Sequence, residues 1–192
     1  MKNKRIYILV ECAVMLALSV ALSFLKIWQM PYGGAVTLLS MLPLCIISIR
    51  HGTLWGLGTA FCYSWFQILQ GGVFAWGLTP GILIACLLLD YILAFTVLGL
   101  AGVFRKLGKG GAIAGVATVC VLRFGFHFLS GYYLWANFDA FKAFGETFVN
   151  RPGLYSLVYN GSYMLPELVF TTVAAAILFG VPAMNKLLQK KF

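Results

Sequence analysis

Between Thr79 and Phe104 the chain runs TPGILIACLLLDYILAFTVLGLAGVF, a long apolar stretch whose one charged side chain is Asp90. A run of this kind belongs in lipid, because about 20 apolar helical residues already cross the hydrocarbon core of a bilayer. Comparable runs lie at Ile6 to Leu25, Ala35 to Ile49, Thr53 to Leu69, Ala112 to Trp135 and Tyr155 to Leu188. Together they predict an all-α, polytopic integral membrane protein with six transmembrane helices, the second short enough to tilt or re-enter. Of the 192 residues, 61% are hydrophobic and 10% charged, with a mean hydropathy of +0.93, far outside the range of soluble domains. With the spans subtracted there is no room for a soluble domain, so residues 1–192 read as a single membrane-embedded domain. The sequence contains no GxxxxGK[ST] phosphate loop, which disfavours a self-contained ATP-driven pump.

The net charge of +9 does not point to nucleic acid, because the basic residues fall in short clusters between apolar runs instead of forming a stripe. Lys2, Lys4 and Arg5 precede span 1, Arg50 separates spans 2 and 3, Arg105, Lys106 and Lys109 separate spans 4 and 5, and Lys186, Lys190 and Lys191 close the chain. These alternate connections share one side, and the positive-inside rule makes that side and both termini cytoplasmic. The opposite connections carry Lys26, then no charge from Gln70 to Thr79, then Lys142 and Arg151 balanced by Asp139 and Glu146. Ile6 to Leu25 is too long for a secretory signal core and reads as a retained span. Cys12, Cys45, Cys62, Cys86 and Cys120 all lie within apolar segments and form no CxxC pair, the pattern of buried thiols without a disulfide or metal site.

Few ionisable groups fall inside the spans: Glu11, Asp90, Arg123, His127 and Glu167. A carboxylate at membrane depth costs roughly 2.5–3.5 kcal/mol on insertion scales, so each is a functional hypothesis beside its structural reading. Arg123 and His127, four residues apart, share one helical face, either as a packing pair or as part of a site. Glu167 follows Pro166, where a kink with the carboxylate paired to Arg123 competes with a ligand role. At 1.5 Å per residue, Asp90 in span 4, His127 in span 5 and Asn160 in span 6 come to similar depths in the outer half of the bilayer. Tyr91, Tyr132, Tyr133, Trp135, Tyr155 and Tyr159 lie at or above that level. One carboxylate, an imidazole, an amide and several rings suit a flat polar heterocycle carrying positive charge; belt aromatics around a self-satisfied polar core are the alternative. Ala13, Ala17 and Ala21, spaced by four, place small residues on one face of span 1, for internal packing or for a partner helix. No GxSxG or HExxH occurs, and no catalytic arrangement stands out.

Five segments carry a resemblance over nearly the full length: ECAVMLALSVALSF, MPYGGAVTLLSMLPLCIISIRHG, LLLDYILAF, RFGFHFLSGYYLW and YSLVYNG. With them the chain resembles the ThiT (YuaJ) family, the thiamine-binding S components of energy-coupling factor (ECF) transporters. The resemblance implies a six-helix subunit that captures thiamine from outside. It implies that the chain itself needs no cofactor, because ATP is hydrolysed by two ABC ATPase subunits working through the membrane coupling subunit EcfT. It also implies that the substrate subunit topples in the bilayer to release its load. By the family's pattern Asp90 and Tyr91 of span 4, His127, Gly131 and Trp135 of span 5, and Tyr155 and Asn160 of span 6 contact the ligand. Ala13 and Ala17, with Ala21 on the same face, meet the coupling subunit. Some relatives carry glutamate in span 4, one methylene longer than Asp90. A tryptophan that closes the thiazolium side in some relatives corresponds to Gly34 here, with Trp28, Tyr32 and Trp76 as candidate substitutes. The competing functions are an S component for another vitamin or a thiamine precursor, and a small membrane enzyme acting on lipid head groups.

Overall fold

Proline and glycine set where the helices of this apolar chain begin and stop. The computed structural model describes residues 2–30, 33–135, 142–143, 146–148 and 150–184. Helix α1 is Lys2–Ser23, and an antiparallel hairpin follows, β1 (Lys26–Gln29) against β2 (Ala35–Thr37), with Trp28 opposite Val36 and Gln29 opposite Ala35. Gly33 takes φ +101° between the strands, a conformation that favours glycine. Helix α2, Leu42–His51, has Pro43 in its first turn, where a missing N–H costs nothing, and it ends at Gly52 with φ +103°. Helix α3, Thr53–Gly71, closes on Gly72 in the left-handed conformation.

The fourth leg is composite: α4 (Pro80–Cys86), a π-helical stretch (Leu87–Leu93), α5 (Ala94–Thr96) and a 3-10 turn (Val97–Leu100). A second 3-10 turn at Arg105–Leu107 reverses the chain into α6 (Gly108–Ser130), which continues as a π-helical stretch (Gly131–Trp135). Helix α7, Pro152–Gly180, contains Pro166. Among the described residues three helical stretches are long and apolar enough to cross a membrane, Lys4–Ser23, Pro80–Trp135 and Pro152–Gly180, and the middle one doubles back to give two legs. With α2 and α3 the bundle has six legs.

The expected span from Ala35 to Ile49 divides. Its first residues form β2, and only Leu42–His51 is helical, about 15 Å of rise and half of what a bilayer core needs. Every residue from Leu42 to Ile49 is buried, so protein and not lipid sheathes this leg. Irregular backbone is tolerated at membrane depth under just that condition. The last span also starts earlier than expected, at Pro152, and the basic residues Lys186, Lys190 and Lys191 lie outside the described residues. Cys62 is exposed, unlike the other four cysteines.

The inner halves of the legs touch backbone to backbone. Ser48 Oγ on α2 donates to the Gly99 carbonyl at 2.5 Å and accepts from the Gly102 N–H at 2.8 Å. A β-carbon added to Gly115 of α6 would lie 2.0 Å from the Ala101 carbonyl oxygen, so glycine is what lets α6 approach the end of the fourth leg. At this same end Glu11 of α1 pairs with Arg50 and His51 of α2, both at 3.0 Å, which gives that carboxylate a structural role. Lys109 lies beside Gly180, so α7 ends where α6 begins. Arg50, Arg105, Lys106 and Lys109 gather at this end, which the positive-inside rule makes cytoplasmic.

Candidate functional site

Away from the glycine crossings the legs diverge around a cavity of about 560 Å³. Small-molecule sites typically occupy roughly 300–1,000 Å³. All seven residues expected at a ligand site line it: Asp90, Tyr91, His127, Gly131, Trp135, Tyr155 and Asn160. The two π-helical stretches carry four of them, Asp90 and Tyr91 on one and Gly131 and Trp135 on the other. Such widened turns change which side chains face the interior and recur at functional sites.

Asp90 is held by the protein itself. Its Oδ1 meets His127 Nδ1 at 3.0 Å. Its Oδ2 accepts from the Ser130 hydroxyl, from Trp135 Nε1 at 3.1 Å and from Cys86 Sγ at 3.5 Å. These donors answer the insertion cost, since a buried carboxylate is tolerable when its lone pairs are satisfied. With Nδ1–H turned to the carboxylate, Nε2 of a neutral His127 is an acceptor, and it has no hydrogen-bond partner among the described residues.

Asn160 and Gly131 act between helices. Both N–H donors of the Asn160 amide are spent within the protein, on the His127 carbonyl at 3.0 Å and Ser156 Oγ at 3.1 Å. Its Oδ1 accepts from Tyr163 at 2.8 Å, which leaves one lone pair. A β-carbon on Gly131 would come within 2.3 Å of Ser156 Oγ, so this glycine permits the contact of α6 with α7. Tyr155, Tyr159 and Tyr163, spaced by four, line the cavity from one face of α7, the first two stacked at 5.9 Å between centroids.

Of the described candidates for the aromatic wall near Gly34, Trp76 is the one that stands at the cavity. Its ring lines the cavity and meets Trp135 edge-on, centroids 5.6 Å apart. Trp28 does not line the cavity, and Tyr32 lies outside the described residues. Gly34 packs against Tyr163 and Tyr159, with its N–H 3.4 Å from the Tyr159 hydroxyl.

Two further polar groups surround the cavity. At the end of α3, Gln70 Oε1 accepts from Ser23 Oγ at 3.0 Å and Gln67 Nε2 at 3.1 Å. The signal for this pair was a polar i,i+3 repeat, QILQ, in an otherwise apolar helix. Deeper down, Arg123 faces Glu167 at 3.7 Å and lies over the Phe95 ring at 4.4 Å. Glu167 Oε1 accepts from the Thr37 N–H and hydroxyl at 2.5 and 2.7 Å. Of the two readings of Glu167, the geometry gives the pair with Arg123, and adds that the same carboxylate anchors β2.

A family model described as thiamine transporter protein (Thia_YuaJ) matches residues 9–186. The chain belongs to the thiamine transporter family. The thiamine transporter ThiT of Bacillus subtilis (strain 168) is 32% identical over 93% of each chain. The thiamine transporter ThiT of Lacticaseibacillus paracasei is 24% identical, over 94% of this chain and 90% of that one. A solved structure of ThiT from Listeria monocytogenes superposes with a TM-score of 0.74 at 27% identity, over 97% of this chain and 99% of the other. As a member of the thiamine transporter family this is a membrane transport protein and not an enzyme, and the reading as a lipid-modifying enzyme is set aside.

Proposed function

We propose that this chain is the thiamine-binding S component of an ECF-type importer, capturing thiamine in the cavity from the extracellular side. The observation that carries the reading is Asp90, a carboxylate at membrane depth lining an aromatic cavity in a member of the thiamine transporter family. Thiamine has a permanently charged thiazolium and a flat aminopyrimidine. Asp90 neutralises the first, the rings of Tyr91, Trp135, Tyr155 and Tyr159 provide stacking faces, and His127 Nε2 accepts a hydrogen bond from the exocyclic amine. Gly131 and Asn160 hold α6 against α7 so that His127 keeps this position.

Ala13, Ala17 and Ala21 are exposed on α1, so among the described residues they pack against nothing large. That supports their reading as the face for EcfT, with two ABC ATPases supplying the energy and no cofactor on this chain.

The test is a fluorescence titration of the detergent-purified protein, together with mass spectrometry of any small molecule that copurifies with it. Thiamine quenches Trp135 emission at micromolar concentration or below. A chain that answers instead to riboflavin or a thiamine precursor overturns the specificity assignment. Silence toward all of these overturns the capture role.

A further inference from the structure

Ser130 does not line the cavity and is not among the residues that the family's pattern brings to the ligand, yet it is fully buried and its hydroxyl bonds to Asp90. Its hydroxyl donates to Asp90 Oδ2, and the single Trp135 Nε1–H, 3.1 Å from each, is shared between Ser130 Oγ and Asp90 Oδ2, so one side chain ties the carboxylate to the aromatic wall. The distribution of donors around Asp90 is uneven. Among the described residues Oδ2 receives three, from Ser130, Trp135 and Cys86, whereas Oδ1 receives only His127 Nδ1. A carboxylate oxygen has about two lone-pair sites, so Oδ2 is saturated and Oδ1 keeps capacity.

We propose that Ser130 is a positioning residue for cation recognition: by saturating Oδ2 it fixes the Asp90 rotamer and turns Oδ1 toward the ligand. This rests on the thiamine-capture reading and deepens it. The physical reason is preorganisation. Asp90 sits on a short side chain with two rotatable bonds, in a widened helical turn, and among the described residues its ion-pairing neighbour is His127, with no Lys or Arg to fix it. A charge-assisted hydrogen bond from a hydroxyl that is itself buried and oriented fixes that direction before the ligand arrives, so binding does not spend free energy ordering the carboxylate. Ser130 also follows His127 by three residues on α6, so a single helix face delivers one donor to each oxygen of the carboxylate.

A role confined to packing would weaken all ligands alike, and a role in presenting the carboxylate weakens cations selectively. The test therefore compares thiamine with its uncharged deaza isostere, in which a thiophene replaces the thiazolium. For Ser130→Ala, purified and monodisperse in detergent, thiamine affinity falls about tenfold, the worth of one charge-assisted hydrogen bond, while affinity for the neutral isostere stays within about threefold. Ser130→Cys, with a weaker donor of similar volume, falls between the alanine variant and the parent, and keeps the test open where alanine does not fold. Equal losses for both ligands, or no loss for either, overturn the positioning role. A parent protein that binds neither ligand overturns the capture reading instead, so the two failures are distinguishable.

Discussion

Asp90 is expensive in lipid and cheap in this protein, because four donors from His127, Ser130, Trp135 and Cys86 replace its water. An amide at this position therefore fails twice. Asp90→Asn removes the charge that, on the proposed function, answers the thiazolium, and its NH2 group brings a donor to where donors already converge. Truncating one partner of a buried charge pair costs about 2–5 kcal/mol, so thiamine binding in detergent weakens by well over tenfold. The ligand-free variant also melts at a lower temperature than the parent. Unchanged titration curves would remove Asp90 from the site. Gly34 provides a second single-residue test. A β-carbon there lies 2.7 Å from Tyr163 Cε1 and 3.2 Å from the Tyr159 hydroxyl, so Gly34→Trp does not restore the wall that some relatives carry. It displaces the tyrosines and lowers affinity, whereas tighter thiamine binding would show that Trp76 is not the substitute.

At the scale of elements, the inner half of the bundle is fixed by glycine crossings and the outer half is held open by side-chain contacts. Gly115 and Gly125 lie on the same helix and separate the two effects. A methyl on Gly115 meets the Ala101 carbonyl at 2.0 Å, whereas a methyl on Gly125 has nothing within 4 Å. Overpacking costs about 1–3 kcal/mol, and alanine gains up to about 1 kcal/mol over glycine inside a helix. Gly115→Ala therefore lowers the melting temperature in detergent and Gly125→Ala holds or raises it. A pair of variants with equal melting temperatures would mean that the crossing tolerates separation. The same division explains what the sequence made legible. Apolar run lengths, basic clusters and helical rise were enough to find the six legs and to bring Asp90, His127 and Asn160 to one depth, since all three signals are local. The descent of β2 into the bundle was not legible, because it depends on Thr37 meeting Glu167, far apart in sequence and about 22 Å along α7 from its start. Ser130 was missed because an apolar helix containing one serine looks ordinary until the carboxylate it faces is known. The π-helical stretches leave no mark on hydrophobic periodicity at all.

For the molecule as a whole, a cavity lined by the upper legs and a sealed inner end pose a problem of release. Helix separation at the inner end would have to break the Ser48 bonds to Gly99 and Gly102 and the Glu11 pairs with Arg50 and His51. On the proposed reading as a subunit of a larger importer, a rigid body that turns as a unit against its partner avoids that cost and would need a smooth face to turn against. Helix α1 has such a face: Ala13, Ala17 and Ala21 are exposed, while Cys12, Ser19 and Ser23 point inward. Small residues let a partner backbone come close, and without water to drive association that closeness supplies most of the contact energy between membrane helices. Ala17→Trp puts a large side chain in the middle of this face and leaves the cavity untouched. Thiamine binding by the isolated protein is therefore unchanged, while uptake by cells that depend on this transporter stops. Uptake at the parent rate would mean that the alanine face meets only lipid, and would move the search for the coupling surface to another leg of the bundle.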